Sequence, residues 1–536
     1  MKIMRKSSEK DAFPIAFTGG GILTMDPERS QVEAIVITGN RIVDVGDNGI
    51  LKSYPNAKVI DLHGRTLLPA FIDAHNHLSI NCFLPEWVNL KGLTNRDAIL
   101  EAVKQLSRNQ LGKGWMVGLR WFDAPLGGVD LTRKDLDEIC LDRPVLLIHF
   151  TGHKSVVNTR ALELAGINCS TPNLQYGIDM LDSDGIPSGV LVENAQAPVL
   201  KLAMERSTGE YAALIEARAR DLLSLGITAV HDPGVTPAAQ AAYRQLHAEG
   251  RLPTSVLMMP HDEMLLMQSD NHVYHCLEGP VTGTGDEWLR VGPIKLFADG
   301  ATRETIAFSF KIGGKTITSG AYRKDFENGL LEATRRGFRV CVHSCGNATT
   351  DAVLDAFDHA ARHAPIGFEM RPRLEHLFLL NVAQIKRLAA MGGCACIQSQ
   401  WLAIGHGFKQ IPEEESKWFA FRDLTDGGVM VAAGSDDPCG LIDGRDPITG
   451  SVMGATMSDE KENVLFPEQG LPFEQWLWMY TAGAAYAGGQ ENERGMLKKG
   501  LVADLVILEG NIDPEKPPFV AETWAGGERV YVNAVR

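Results

Sequence analysis

The chain has 536 residues, 44% hydrophobic and 22% charged, the balance expected of a soluble globular protein with one large domain and appendages, or about three ordinary domains. Its 52 basic and 67 acidic residues leave a net charge of −15, which argues against nucleic acid or an anionic membrane surface as partner and leaves a small-molecule substrate as the expected one. Nine cysteines without a C-x-x-C pair read as reduced thiols of a cytoplasmic protein, with Cys394 and Cys396 as core thiols of an apolar strand. The N-terminal run MKIMRKSSEKDAFPIAFTGG has no apolar segment of signal-peptide length, and no run approaches ~18 apolar residues, so no membrane span is expected. The residues name no oligomeric state; a homodimer is allowed.

Residues 14–66 read as short strands and tight turns, with Gly39-Asn40 in TGNRI as a hairpin turn. From about residue 67, apolar strands alternate with amphipathic helices. NRDAILEAVKQLSRNQ places Ile99, Leu100, Val103 and Leu106 at helical spacing behind a capping Asn95. PVLLIHF (144–150) is a buried strand, and 208–226 is a helix ending at Gly226 before the strand ITAVHD. The strands VGPIKLFADG (291–300), FRVCVHSCG (338–346), RPRLEHLFLL (371–380), CACIQSQ (394–400) and VMVAAGSDDP (429–438) follow, with helices around 325–336, 349–362 and 382–391 between them. About eight strand–helix units predict parallel strands, and best of all an α/β (β/α)8 TIM barrel. The stretch 80–205 is too long for one crossover and reads as an insertion after the first barrel strand. After TAGAAYAGG (481–489) the chain returns to β structure, so both termini are expected to share one small β unit. The expected division is 1–66, 67–480 and 481–536. The charged stretch EEESKWFAFRD (413–423) reads as a solvated loop or helix face.

Catalytic groups of a barrel sit at the C-terminal ends of its strands. The run LLPAFIDAHNHLSI ends a strand with His75 and His77 two apart, so both imidazoles share a face. Lys295 and Asp299 lie on PIKLFADG, His343 ends FRVCVHSCG, Glu375 and His376 lie on RLEHL, and Asp436 and Asp437 end VAAGSDDP. Each alone has an ordinary explanation: a core histidine, a snorkelling lysine, a turn aspartate. Together, at the strand ends of one barrel, four histidines, a lysine and an aspartate point to a metal centre. A protonated lysine cannot ligate a metal. A neutral buried amine on an apolar strand can instead add carbon dioxide, giving a carbamate able to bridge two cations.

The motifs GNRIVDVG, LLPAFIDAHNH, TGHKSVVNTRALELAGI, GIPSGVLVENAQ, IKLFADG, VHSCGNATTDAVLDAF, RLEHL, AAGSDDP and RGMLKKGLVADLVIL cover nearly the whole chain in order. They resemble the amidohydrolase superfamily, in particular its amidohydrolase-3-type branch, which includes N-substituted formamide deformylases. The resemblance implies a TIM barrel with a β-sandwich built from both termini. It implies that His75 and His77 bind the more buried metal, that carboxylated Lys295 bridges to a second held by His343 and His376, and that Asp436 binds the first metal and shuttles protons. His153 in TGHKSVVN and Glu193 in VLVENA match the branch's pattern in the insertion, His153 as a hydrogen-bond partner of the substrate carbonyl and both as substrate contacts. Ala70 stands where the family has glycine, Asn347 replaces an acid that would orient His343, and Gln400-Trp401 depart from the family's mouth, so Gln400 and Trp401 are both expected to shape the pocket. Trp115 and Trp121 could line it too, while His231 reads either as a support behind the ligands or as structural, and His359 and His363 as exposed.

The expected reaction is hydrolysis of a non-peptide C–N bond, an amide or N-substituted formamide. Bound metal, zinc first among divalent candidates, lowers the pKa of water from about 15.7 toward ~7, and the resulting hydroxide attacks the carbonyl. Asp436 carries the proton to the departing nitrogen. Hydrolysis of a carbamate, thiocarbamate, lactone or cyclic amide in the same site, and a non-catalytic metal-binding or regulatory protein on this scaffold, are the competing readings.

Overall fold

Branched apolar runs interrupted by Gly and Asn near the N-terminus form strands because a pleated, half-buried surface suits Val and Ile, while the interruptions supply turns. In the computed structural model, which describes residues 13–109, 114–172, 177–261, 274–302, 304–411 and 413–534, the hairpin Gln31–Thr38/Arg41–Gly46 turns at Gly39, whose φ of 55° suits glycine. Most of the N-terminal run assessed for a leader lies outside the described residues. The strands of both termini share one eight-stranded sheet. Its order is Glu528–Val532, Phe519–Ala525, Leu505–Glu509, Thr66–Pro69, Ile15–Leu23, Gln31–Thr38 and Arg41–Gly46, with Lys58–Asp61 beside Ile15–Leu23. Phe17, Ile35, Leu67, Leu505 and Trp524 fill its core.

The α/β part carries two parallel sheets. One runs Leu289–Val291, Ser255–Pro260, Ile227–Val235, Phe71–Asp73; the other Ile294–Phe297, Val340–Ser344, Arg373–His376, Cys394–Ile397, Met430–Ala433. Only Gly292-Pro293 separates Val291 from Ile294, so the predicted single strand VGPIKLFADG is broken there; Pro293 has no N–H to continue a ladder. At the other edge the Ala74 N–H donates to the Ala433 carbonyl at 3.1 Å. The predicted strand RPRLEHLFLL is likewise broken, into Arg373–His376 and Leu379–Asn381, because His376 and Leu377 take φ of 76° and 53°.

The intervening helices form where expected, for local reasons. Arg96–Asn109 is capped by Asn95, whose Oδ1 accepts from the Ala98 N–H at 2.9 Å, and it buries Ile99, Leu100 and Val103. Thr208–Leu223 starts on a Ser207/Glu210 capping box, worth about 1 kcal/mol, and buries Ile215, Ala219 and Leu222. Burial of each large aliphatic adds about 1.5–3 kcal/mol. The stretch read as an insertion holds a six-stranded sheet of its own, from Val88–Asn89 to Pro187–Glu193, with Trp121 in its core rather than at a pocket.

The stretch 413–423 differs from its reading. Ser416–Trp418 is a strand paired with Leu379–Asn381, and Trp418, Phe419 and Phe421 are buried. Glu413 and Glu414 accept backbone N–H groups of Lys311 and Gly313, so the acids clasp the hairpin Phe308–Ile312/Lys315–Ser319. The acids lead the segment and reach the hairpin, while the aromatics that follow at 418, 419 and 421 turn into the core. Among the described residues no helix is long and apolar enough to cross a membrane, and Cys394 and Cys396 are buried in their strand.

Candidate metal centre

The strand ends converge on a narrow cavity of about 20 Å³ lined by His75, His77, Lys295, His343, His376 and Asp436, with His153 and Trp401 at its sides. Its two chain-distant walls touch closely. Gly434 lies against His75, where a Cβ would stand 2.6 Å from the His75 nitrogen, and the Asp436 N–H donates to the His75 carbonyl at 2.6 Å. Asp436, His376 and Glu193 all hold positive φ, of 54°, 76° and 50°. Such backbone costs on the order of 1–3 kcal/mol per residue and is tolerated where side-chain aim matters.

Each imidazole has one nitrogen tied to an acceptor. His75 Nδ1–H donates to Glu375 Oε2 at 2.6 Å, and His77 Nδ1–H to the Pro233 carbonyl at 2.9 Å. His376 Nδ1–H donates to Gln398 Oε1 at 2.8 Å, and His343 Nε2–H to the Gly300 carbonyl at 3.2 Å. A neutral ring that donates from one nitrogen keeps a bare lone pair on the other. His77 Nε2 therefore faces Asp436 Oδ1 at 3.1 Å, and His75 Nε2 faces the same oxygen at 3.4 Å, as acceptors opposed to an acceptor. His75 Nε2 and Lys295 Nζ are buried without a hydrogen-bond partner. His75, His77 and Asp436 bring their donor atoms within 4.8 Å of one another. Converging acceptors around a gap fit a cation, and imidazole with carboxylate suits zinc or a similar divalent ion.

The electrostatics keep these donors ready. Burial pushes the His75 ring down to about 4 and the His376 ring to about 3, and burial followed by the His376 charge holds His343 well below its ordinary range. Burial alone would raise the Asp436 carboxyl, but His75, His77 and His376 outweigh it and hold it well below the usual carboxylate range. Lowered imidazoles are neutral at pH 7, and protons compete with a metal only when pH falls through the lowered values. Metal retention in dialysis at stepped pH is thus expected to persist through pH 5 and fail near about 4, rather than near the ~6.5 of an exposed histidine; loss of metal already at pH 6 would contradict this.

Behind the ligand candidates stands a buried chain. Arg373 Nε donates to Glu375 Oε1 at 2.6 Å and Arg373 Nη1 to His231 Nδ1 at 3.0 Å, which gives His231 a structural place. Burial would raise Glu375, but Arg373 and His75 hold it well below the carboxylate range. Glu375→Gln is expected to weaken metal binding about 10–100-fold, measured by competition with a chelating dye. In the sequence Glu375 stands at its strand end without an evident role, and neither Arg373 nor Gln398 is marked there as a ligand. An arginine and a glutamate two apart on an apolar strand was the available signal for the first pair.

Asn347 does not touch His343. It pairs with the backbone of Ser309, its Oδ1 accepting at 2.8 Å and its Nδ2 donating at 2.8 Å. Asp299 stands nearer, 3.6 Å from His343 Nε2, and accepts from the Cys345 and Gly346 N–H groups and the Thr349 hydroxyl. Burial pushes Asp299 up to about 7 against those hydrogen bonds. His153 lines the cavity and donates Nδ1–H to Glu193 Oε2 at 2.8 Å; Glu193 is not among the lining residues and backs His153 instead. Trp401 Nε1–H donates to Asp436 Oδ2 at 3.1 Å. Gln400 bonds the Ser435 carbonyl and, like Trp115 and Trp121, does not line the cavity. His359 and His363 are exposed.

An α/β scaffold that gathers imidazoles and one carboxylate around a gap has the donor set of a metal-binding protein. The family model described as "Amidohydrolase family" matches residues 58–531, and the chain belongs to that family. It is 30% identical over 505 residues, covering 91% of this chain and 92% of the relative, to the N-substituted formamide deformylase of Arthrobacter pascens. It is 28% identical over 544 residues, covering 96% of this chain and 98% of the relative, to YtcJ of Bacillus subtilis (strain 168). Among solved structures, an uncharacterized metal-dependent hydrolase from Pyrococcus furiosus superposes with a TM-score of 0.70 at 26% identity, over 94% of this chain and 100% of that one.

Proposed function

We propose that the chain is a metal-dependent hydrolase of a non-peptide C–N bond, with an N-substituted formamide as its preferred substrate. The observation that carries this reading is the set of imidazole lone pairs opposed to Asp436 around a gap they cannot fill themselves. His75, His77, Lys295, His343, His376 and Asp436 are the proposed metal-holding residues, Lys295 as a carbamate; its partnerless buried amine supports that assignment. A divalent cation, zinc first, supplies carbonyl polarisation and an acidified water when bound. Asp436 accepts the proton of the attacking water and returns it to the departing nitrogen, with Trp401 fixing the carboxylate's second oxygen. His153, oriented by Glu193, is the proposed hydrogen-bond partner of the substrate carbonyl.

The preference for a formyl group rests on the similarity to the Arthrobacter deformylase. A panel of N-benzyl formamide, acetamide, carbamate and a lactone tests this with zinc- or manganese-loaded protein. The formamide is expected to lead the acetamide by about 100-fold in kcat/KM; a lactone or carbamate turned over faster would move the reading to the other bond class.

For the architecture, we read the two parallel sheets as one closed (β/α)8 barrel over 67–480. The Ala74–Ala433 hydrogen bond at one seam and the two-residue link Gly292-Pro293 at the other support this. Residues 80–205 are then its insertion, and 1–66 with 481–536 a β-sandwich.

A further inference from the structure

A second cavity, of about 240 Å³, lies beside the metal pocket. Arg120, Arg218 and Arg445 line it together with Asp437 and Asp443. Arg120 and Arg218 are only 5% and 7% exposed, and both spend a hydrogen bond on one carboxylate. Arg120 Nη2 donates to Asp437 Oδ1 and Arg218 Nη2 to Asp437 Oδ2, each at 2.9 Å. Arg445 is matched separately, with two bonds of 2.6 Å to Asp443. Guanidinium groups stay charged, so the lining carries one more cation than anion. Asp221 stands 3.8 Å from Arg218, but it is 63% exposed and outside the lining, where water screens it. Anchoring Asp437 accounts for one buried arginine, not for two. An unbalanced buried cation is costly unless something answers it.

The same cavity has an apolar side. Trp87 and Leu119 line it and also line a smaller apolar gap that reaches Cys439, itself a lining residue of the metal pocket. We propose that the 240 Å³ cavity binds an organic anion, a carboxylate on a small apolar body: the arginines take the carboxylate and Trp87 and Leu119 the body. Two sources share this chemistry. It is the far end of a substrate whose apolar arm crosses the gap, which rests on the hydrolase reading, or a separate carboxylate ligand, which does not.

Titration calorimetry of the full chain with benzoate, and with benzyl alcohol as the uncharged counterpart, tests the site. Benzoate is expected to bind with a Kd no weaker than about 1 mM and the alcohol not to bind measurably. Arg445 and Asp443 side chains are 25% and 46% exposed, so their variants leave the fold intact. Arg445→Gln removes a cation and should weaken benzoate about tenfold, whereas Asp443→Asn removes an anion and should tighten it by a similar factor. A purely structural pair would shift both variants in one direction. Absent benzoate binding, equal binding of acid and alcohol, or shifts of the same sign overturns the proposal. With a formamide substrate, competitive inhibition by benzoate assigns the site to the substrate's arm, and an unchanged KM assigns it to a separate ligand. If no substrate is turned over, the calorimetry still decides the anion site on its own.

Discussion

Asp436→Asn is expected to retain metal while kcat falls by about 1,000-fold, the scale of a lost general acid–base group. The reasoning is geometric. Asp436 Oδ1 faces His75 and His77 at 3.4 and 3.1 Å, while Oδ2 accepts from Trp401 at 3.1 Å. An asparagine can keep its oxygen toward the imidazoles, so the cation retains that donor. Its amide then meets the Trp401 N–H donor to donor, and no atom of the pair can accept a proton from water. Trp401→Phe separates the two effects, since it frees the second oxygen without removing the base; a drop of only about tenfold is expected. Metal content by atomic emission, read beside kcat at saturating substrate, distinguishes a lost proton carrier from a lost ion. A normal rate in Asp436→Asn with the metal in place would remove the proton-carrier role.

Lys295 carries the second large effect, with opposite signs for activity and stability. Its amine is fully buried, without a hydrogen-bond partner, 4.9 Å from the centroid of Phe297. Left unmodified, such a group loses its hydration and gains no hydrogen bond in return, a cost of about 1–3 kcal/mol. Lys295→Met keeps the stem and removes the orphan, so metal-free protein should gain stability of that order in urea unfolding. The same substitution, and Lys295→Ala, should abolish most hydrolysis by removing the proposed carbamate. Because Lys295→Ala leaves space, a short carboxylic acid is expected to restore part of its activity. If Lys295→Ala works without added bicarbonate or acid, the bridging assignment is wrong, whatever the stability result.

The site was legible where it is local. His75 and His77 stand two apart just past the apolar strand Phe71–Asp73, and so short a separation brings both to the cavity although neither lies in the strand itself. The same holds for the Asn95 cap and the Gly39 turn, which depend on neighbours within a few residues. What could not be read is what each ring's other nitrogen does. The acceptors for His77, His343 and His376 are the Pro233 carbonyl, the Gly300 carbonyl and the Gln398 amide, and two of them are backbone atoms that no residue type announces. Asn347 shows the same limit from the other side. Its motif position suggested a missing partner for His343, yet in space it serves Ser309 while Asp299 approaches the ring.

The acidic and aromatic stretch 413–423 failed for a related reason. Its charge pattern described composition, whereas its burial depends on the strand Leu379–Asn381 and on a hairpin about 100 residues upstream. By itself, the sequence determined the residue types available at the strand ends, the alternation of strands and helices, and the family, because these follow from periodicity and from ordered motifs. Only the tertiary structure decided which lone pairs oppose Asp436, which amine is left without a partner, and which three arginines share a cavity with two aspartates. Those are relations of distance and direction between atoms far apart in the chain, and they exist only once burial has fixed them.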